Sequence, residues 1–437
     1  MGIDLKKYQD KLRKIETLKT CGKVTQIVGL VVEVSGLRGS IGELCRIISR
    51  NEETEVIAEI VGFREDKALL MPLGDLHGIG PGAMVISSEE EFKVAVGDCL
   101  LGRVLDGLGR PLDDKGPVKT KEFYSAYNTP SDPLNRKKIN EPVAMGIRSI
   151  DAALTVGKGQ RMGIFAGSGV GKSTALGMIA RNTNADINVI ALIGERGREV
   201  RDFIEKDLGI EGLKRSVVIA ATSDQPALIR RMGAFVATSI AEYFRDKGYN
   251  VMLMMDSVTR FAMAQREIGL AIGEPPTTKG YTPSVFALLP KLLERAGTTA
   301  HKGSITGLYT VLVEADDMNE PISDHVRAIL DGHIVLSRAL AAQSHYPPVD
   351  LLESVSRCMI DITDDKHRKA ASKLKEVLSI YKNAEDLINI GAYVEGSNPQ
   401  IDYALKKIAN VRQFLIQGIE EKTDYTQTVN RLMELFV

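Results

Sequence analysis

The sequence has no excess of charge of either sign. Its 437 residues include 56 Lys and Arg and 57 Asp and Glu, so the formal net charge is −1. A general basic field that attracts nucleic acid or an anionic membrane is therefore excluded. The composition predicts no nucleic-acid partner.

Cysteine is scarce and scattered. The four cysteines include no C-x-x-C pair and lie far apart, at Cys21, Cys45, Cys99 and Cys358. Neither a zinc site nor a disulfide framework is implied by such spacing. This cysteine usage fits the reducing environment of the cytoplasm.

Long apolar segments are also lacking. No run of about 18 apolar residues occurs, so we expect no transmembrane helix. The first residues are charged and have no continuous apolar core, so we expect no signal peptide. Lys6 stands where an N-myristoylation motif has Ser or Thr, which argues against a lipid anchor.

Aromatic residues are few in the stretch 20–96, where Phe63 and Phe92 are the only ones. Short runs rich in β-branched residues alternate there with glycines, at 24–28, 30–34, 44–48, 56–61, 68–71 and 84–86. This pattern of short runs separated by glycines predicts a small β-barrel or sandwich. A barrel that binds nucleic acid needs stacking aromatics in a positive groove, so an RNA-translocating ring is disfavoured.

The first 19 residues predict an amphipathic helix. Apolar residues fall at three- and four-residue steps, at Leu5, Tyr8, Leu12, Ile15 and Leu18. Lysines and arginines crowd the remaining positions. Such a helix suits a partner helix or an anionic lipid surface, or it packs on its own domain.

One stretch organises the chain: Gly167-Ser168-Gly169-Val170-Gly171-Lys172-Ser173-Thr174. It matches a phosphate-binding loop, with Ala166 where the simple pattern has its first Gly. The apolar run 161–165 before it predicts a strand, and 174–181 after it predicts a helix, as the motif requires. The loop predicts ATP binding, with Lys172 on the β- and γ-phosphates and the Ser173 hydroxyl on Mg²⁺.

Apolar runs of strand length then alternate with helical patterns. The predicted strands are 187–193, 217–221, 251–255 and 308–313, and the predicted helices are 200–208, 225–246 and 260–270. This alternation indicates a mostly parallel sheet buried on both faces. Ligands bind at the carboxyl ends of such strands. The remaining chain predicts helices at 365–382, 383–390 and 402–422.

Two acidic residues end predicted strands. Asp256 follows 251–255, as the carboxylate that serves Mg²⁺ does in phosphate-loop proteins, although many strands end in Asp. Glu195 follows 187–194, and it either polarises the attacking water or pairs with Arg196 or Arg198. The spacing of Arg338 by itself indicates only a surface arginine.

Several runs carry a resemblance to a known family. The runs 166–174, 193–200, 255–260 and 344–350 together resemble the catalytic subunits of rotary ATPases. The runs 273–286 and 328–338 are similar to one branch, the flagellum-specific ATPases of bacterial type III protein export. The similarity extends from about residue 20 to residue 437.

The resemblance implies an α/β fold with a RecA-like phosphate-loop core. An amphipathic helix (1–19) and a β-barrel (20–96) would precede the ATPase domain (97–345), and a helical domain (346–437) would follow it. Six copies would form a ring with nucleotide between neighbouring subunits.

The resemblance also assigns roles in Mg-dependent ATP hydrolysis. Lys172 would hold phosphate, Ser173 and Asp256 would serve Mg²⁺, and Glu195 would be the catalytic carboxylate. Arg196 would lie near the γ-phosphate, and Tyr346 would pack on the adenine ring. Arg338 would be an arginine finger that reaches the neighbour's γ-phosphate, a contact worth roughly 10³–10⁵ in rate.

The implied partners are those of an export machine. They are a regulator resembling a peripheral stalk at the N-terminal helix, a central coiled-coil stalk in the pore, the export gate and chaperone–substrate complexes. The implied location is the cytoplasmic side of the membrane at the flagellar base. Two alternatives stay open: an injectisome ATPase of virulence secretion, and a ring subunit that binds ATP without turnover.

Overall fold

The computed structural model describes residues 21–51, 53–314 and 317–436. The predicted N-terminal helix lies outside these residues. The chain forms two compact units. The first comprises the described residues up to Lys93 together with Glu267–Pro275, and the second comprises the rest.

The first unit is a closed six-stranded antiparallel barrel. Its strands are β1 (Cys21–Val28), β2 (Val31–Ser35), β3 (Glu43–Ile48), β4 (Glu55–Arg64), β5 (Lys67–Pro72) and β6 (Met84–Glu91), in the order β1-β2-β5-β4-β3-β6. Alternate residues point inward, and Val32, Val34 and Ile47 are fully buried. The predicted barrel is confirmed, and all six predicted runs are strands, because β-branched alternation suits a sheet with one buried face.

The second unit is built on a nine-stranded sheet. Two further pairs of strands lie outside that sheet. They are β7 (Lys93–Val96) with β9 (Glu122–Ser125), and β10 (Pro142–Val143) with β11 (Val156–Gly157). The sheet strands are β8 (Val104–Asp106), β12 (Arg161–Ala166), β13 (Ile187–Ile193), β14 (Ser216–Ala221), β15 (Asn250–Asp256), β16 (Gly297–Thr298), β17 (Ser304–Leu312), β18 (Gly332–Leu336) and β19 (Val349–Ser356).

The order along this sheet is β19-β18-β12-β17-β15-β13-β14-β8, and β16 pairs with β17. Only β19 and β16 run antiparallel to their partners in the described sheet. Every residue of β13 is buried, as expected for a strand covered on both faces. The predicted α/β core is therefore confirmed. The sheet continues through β19, beyond residue 345, and the domain limits stay a prediction.

Helices connect and cover these strands. They are α1 (Arg148–Ala153), α2 (Lys172–Asn182), α3 (Gly197–Asp202), α4 (Gly209–Lys214), α5 (Ala227–Asp246), α6 (Val258–Ile272), α7 (Pro283–Leu293), α8 (Pro321–Ile329), α9 (Arg338–Ala342) and α10 (Met359–Ile362). A π-helical turn at Phe203–Leu208 continues α3. The long helix α5 packs against β13, β14 and β15.

Three further helices form the C-terminal part: α11 (Asp365–Asn389), α12 (Pro399–Leu415) and α13 (Tyr425–Glu434). They share one continuous apolar cluster with the sheet, which includes Leu176, Leu336, Leu374 and Phe414. The helical C-terminal region is thus confirmed and belongs to the same compact unit as the sheet.

The sequence-based limits of these helices were partly wrong. The predicted break after residue 382 is absent, because no Gly or Pro interrupts α11 before Gly391. The helix predicted to reach 422 ends at Leu415, where Ile416 turns extended. Helix α13 was missed, and its N-cap is Asp424, whose side chain accepts from the backbone N–H of Gln427. Among the described helices, none combines the length and apolarity needed to cross a membrane.

Candidate active site

The predicted site residues meet at the carboxyl edge of the parallel sheet. Strand β12 leads into the 167–171 loop, and α2 begins directly after it, at Lys172. Strand β18, which pairs with β12, ends at the same level, so that Leu336 lies beside Ala166. Strands β13 and β15 end beside each other, with Leu192 opposite Asp256. Four strand ends therefore bring residues from distant parts of the chain to one edge.

The loop has the backbone shape that a phosphate cradle needs. Gly171, the N-cap of α2, has φ 94°, a left-handed conformation that favours glycine. No side chain caps this helix end, so the first N–H groups of α2 face the cleft without an internal acceptor. An uncapped N-terminus of this kind attracts phosphate oxygens.

Three ionisable side chains lie together beneath the loop. The Nζ of Lys172 is 2.5 Å from Oδ1 of Asp256 and 3.7 Å from Oε1 of Glu195. Asp256 is only 3% exposed and also accepts a hydrogen bond of 2.8 Å from the Thr310 hydroxyl. One cation thus faces two carboxylates, and the sequence-predicted residues are in direct contact.

The Glu195 carboxyl has an unusual proton affinity. Burial raises its pKa to about 7, and the negative charge of Asp256 adds to this effect. The positive charge of Lys172 acts in the opposite direction but does not cancel it. A hydrogen bond with Glu199 also raises the pKa. A carboxylate with a pKa near neutrality is suited to accept a proton from water.

Gly194, directly after β13, allows a further arginine, Arg260, to pack close to the end of this strand. Gly194 has φ 69°, and a Cβ at this position would lie 2.8 Å from Cβ of Arg260. Only glycine therefore allows α6 to approach the end of β13 in this way. The Nε of Arg260 is buried and has no hydrogen-bond partner among the described residues. Sequence reasoning did not select Arg260 as a site residue, since it carries no signal beyond following Asp256 on the same segment.

A cleft of about 940 Å³ opens above the loop. Its lining includes these predicted site residues: Gly167, Ser168, Gly169, Gly171, Lys172, Ser173, Thr174, Glu195, Arg196 and Arg338. Three predicted residues, Val170, Asp256 and Tyr346, do not line it. Val170 is buried in the apolar core, and Asp256 lies behind Lys172.

Arg338 belongs to the wall of its own chain's cleft. It is the first residue of α9, two positions after Leu336, which pairs with Ala166 at the start of the phosphate loop. This register explains why a residue so distant in sequence lines the cleft. The predicted delivery of Arg338 to a neighbouring subunit stays a prediction.

A second, apolar cavity of about 280 Å³ adjoins the cleft and shares Gly171 and Thr174 with it. Tyr346, the residue that the resemblance places on the adenine ring, lines this cavity and is 47% exposed. The opposite wall comes from the loop 416–424, through Gln417, Gly418 and Ile419. Sequence reasoning missed this loop because it had assigned the segment to a helix.

Comparison with known proteins agrees with this arrangement. The model of the ATP synthase alpha/beta family nucleotide-binding domain matches residues 146–356, and the beta-barrel domain of the same family matches 24–89. A "Flagellum-specific ATP synthase" of Bacillus subtilis is 57% identical over 98% of this chain and 97% of its own length. The chain belongs to the ATP synthase alpha/beta family.

The family places the chain among ATPases, and the predicted ATP substrate agrees with this membership. The model of the type III secretion EscN ATPase C-terminal domain matches residues 363–434. The assembled ATPase EscN of enteropathogenic E. coli superposes with a TM-score of 0.90 at 47% identity, over 95% of this chain and 99% of EscN. EscN in complex with its central stalk EscO superposes with a TM-score of 0.87 at 46% identity, over 95% of this chain and 99% of EscN.

Proposed function

We propose that ATP occupies both cavities at once, with its triphosphate in the cleft and its base in the apolar cavity. The observation that carries this proposal is that the two cavities share Gly171 and Thr174, at the turn from loop to helix. In this placement the backbone of 167–174 surrounds the phosphates. Tyr346 provides a flat apolar face for the adenine ring.

Replacing Lys172 with Ala is expected to weaken ATP binding roughly 100-fold. The side chain would supply charge-assisted hydrogen bonds to the phosphates, worth about 1.5–3 kcal/mol, and its loss also leaves Asp256 buried without its cation. Calorimetric titration of ATP measures the change, and circular dichroism checks the fold. Lys158→Ala, at a partly exposed ion pair with Glu141, is the control. Unchanged affinity in Lys172→Ala would contradict the loop assignment.

The residues also suit Mg²⁺. The Ser173 hydroxyl and the Asp256 carboxylate are oxygen donors, and they are the residues that would hold the ion. Phosphate and water oxygens would complete the coordination of an ion held by two protein oxygens. When bound with ATP, Mg²⁺ neutralises negative charge on the phosphate oxygens.

In the proposed reaction Glu195 orients the attacking water and accepts its proton. Its raised pKa near 7 supports this role. Arg196, Arg260 and Arg338 line the same cleft and would balance charge on the γ-phosphate oxygens. Lys172 would then contact phosphate as well as the two carboxylates beneath it.

We further propose that six identical chains form a ring. The assembled state of EscN, a structure of the same fold at 47% identity, supports assembly. By the same reasoning, a central coiled-coil stalk is the proposed partner in the pore, since EscN was solved with its central stalk EscO. This chain carries both Glu195 and Arg338, as a ring of identical active subunits requires.

The biological role that we propose is flagellar type III protein export. The Bacillus subtilis protein named as flagellum-specific is 57% identical, and the injectisome ATPase EscN is 47% identical. The remaining proposed partners are the stalk-like regulator at residues 1–19, the export gate and chaperone–substrate complexes. The proposed location is the cytoplasmic side of the membrane at the flagellar base.

Expression of this chain in Bacillus subtilis lacking its own flagellum-specific ATP synthase tests this role. Swimming motility and secreted flagellin are expected to return, and a chain with Lys172→Ala is expected not to restore them. A parallel injectisome mutant of enteropathogenic E. coli lacking EscN is expected to stay secretion-deficient. Restoration of injectisome secretion without motility would favour the virulence alternative instead.

A further inference from the structure

We propose that Arg148 is a positioning residue that, with Gln417 and Glu421, holds the 416–424 loop in place as a wall of the apolar cavity lined by Tyr346, which we call the base cavity. Through this loop, Arg148 sets the affinity for the adenine end of ATP. This inference rests on the proposed function, because it concerns the base half of the same site. Arg148 lines neither cavity, so it acts through the loop and not on the nucleotide.

The guanidinium of Arg148 is committed to this loop and the helix end before it. Its Nε donates to the carbonyl of Phe414 at 2.8 Å, and its terminal nitrogens donate to the carbonyl of Ile416 and the carboxylate of Glu421. Arg148 is only 3% exposed. A buried cation needs such partners, so the loop is held where it satisfies the arginine. The same contact lowers the pKa of the Glu421 carboxyl.

Gln417 is the matching anchor on the loop. Its Oε1 accepts from the backbone N–H of Arg148 at 2.8 Å, and its Nε2 donates to the carbonyls of Gly146 and Glu421, both at 2.9 Å. Its own backbone N–H donates to the carbonyl of Tyr346 at 2.9 Å. One buried residue therefore ties together both walls of the base cavity.

The loop is also fastened to the phosphate end of the site. Arg181, in the last turn of α2, donates to the carbonyl of Ile419 at 2.9 Å. Helix α2 begins at Lys172, so the loop and the phosphate cradle are linked through one rigid helix. The segment that carries Arg148 is itself fixed, because the buried Asp151 carboxylate accepts from the backbone N–H groups of Met145 and Gly146.

These contacts predict a selective defect. Without the Arg148 guanidinium, the loop loses the side-chain contacts to Ile416 and Glu421. It keeps the hydrogen bonds made by Gln417 and Arg181. The wall around Ile419 is then held less firmly opposite Tyr346. The phosphate contacts depend on residues 167–174 and remain. Binding of ATP should weaken, whereas binding of a ligand that has phosphates and no base should not change. Because no reacting group is touched, kcat at saturating ATP should stay the same while KM rises.

The test compares ATP with inorganic tripolyphosphate, each with Mg²⁺, by calorimetric titration of the full chain. Arg148→Gln is expected to raise the Kd of ATP about 10-fold, the effect of losing charge-assisted hydrogen bonds. The Kd of tripolyphosphate and the kcat are expected to stay within about 2-fold. Glu421→Gln is expected to shift the Kd of ATP in the same direction by a smaller factor. The control is Arg412→Ala, whose guanidinium lies over the Tyr381 ring and does not line the base cavity.

An equal change for both ligands, or no change for ATP, would overturn the proposal. If Arg148→Gln does not fold, Glu421→Gln carries the test, because the Glu421 side chain is 43% exposed and its replacement leaves the core intact. Failure of the unmodified chain to bind either ligand would instead overturn the proposed ATP site, so the two ideas fail in different ways.

Discussion

Arg338→Ala is expected to lower kcat by about 10³-fold or more while the affinity for ATP changes little. An arginine that neutralises charge only as the γ-phosphate is transferred contributes roughly 10³–10⁵ in rate, whether it comes from the same chain or a neighbour. Single-turnover and steady-state rates measure the loss, and calorimetric titration measures ATP binding. Arg327→Ala, which removes a surface ion pair with Asp324, is the matched control. Near-normal turnover would remove Arg338 from the mechanism.

Mixed assemblies decide whose site Arg338 serves. Subunits with Lys172→Ala and subunits with Arg338→Ala are each expected to be inactive when assembled alone. If Arg338 serves its own cleft, mixing the two variants restores nothing. If Arg338 reaches into the neighbour's cleft, mixing regains activity, because an intact Lys172 site can then meet an intact Arg338. Mixtures that stay inactive would contradict the predicted delivery of Arg338 to the neighbour.

Glu195→Gln is expected to lower kcat by roughly 10²–10⁴, the usual contribution of a general base. The amide cannot accept the proton of the attacking water, yet it fills the same space, so ATP binding should persist. Glu205→Gln, on the exposed face of the following helical segment and paired with Arg201, is the control. Normal turnover in Glu195→Gln would support a subunit that does not use this residue.

The pH dependence of kcat/KM tests the role of Glu195 independently of its replacement. The pKa of Glu195 is raised, so its carboxyl is protonated below about pH 7 and ionised above it. The base form is the active one, and therefore kcat/KM should fall as the pH drops through about 7. A value of kcat/KM that stays flat across neutral pH would contradict this role.

The phosphate loop could be predicted because all of its signal is local. Glycines, Lys172 and Ser173 are consecutive, and the strand before them and helix after them are visible in the apolar pattern. The same holds for Asp256 and Glu195, since Asp256 ends a buried strand, Glu195 follows one, and such strand ends must lie at the carboxyl edge. The contact of Lys172 with both carboxylates follows from that common edge.

The position of Arg338 could not be derived in this way. Spacing indicated only a surface arginine, because nothing in the sequence reveals that β18 pairs with β12. The strand order of the sheet supplies this information. Arg260 was missed for a related reason: the approach of α6 to Gly194 is a tertiary contact without a sequence signature.

The residues around the base cavity could not be predicted from the helical periodicity of the sequence. Tyr346 was identified through a family resemblance, and its opposite wall was not identified at all. The 416–424 loop reads as a continuation of the helix before it, since Gly418 is its only strong breaker. Its actual path is set by Arg148, which contacts Gln417 of the loop and Phe414 before it from a segment more than two hundred residues away in the chain.

The most direct test of the account is a structure of the chain with Mg²⁺ and a non-hydrolysable ATP analogue. The account predicts the triphosphate on residues 167–174, in contact with Lys172, and the adenine ring between Tyr346 and Ile419. An analogue bound elsewhere, with both cavities free of nucleotide, would contradict it.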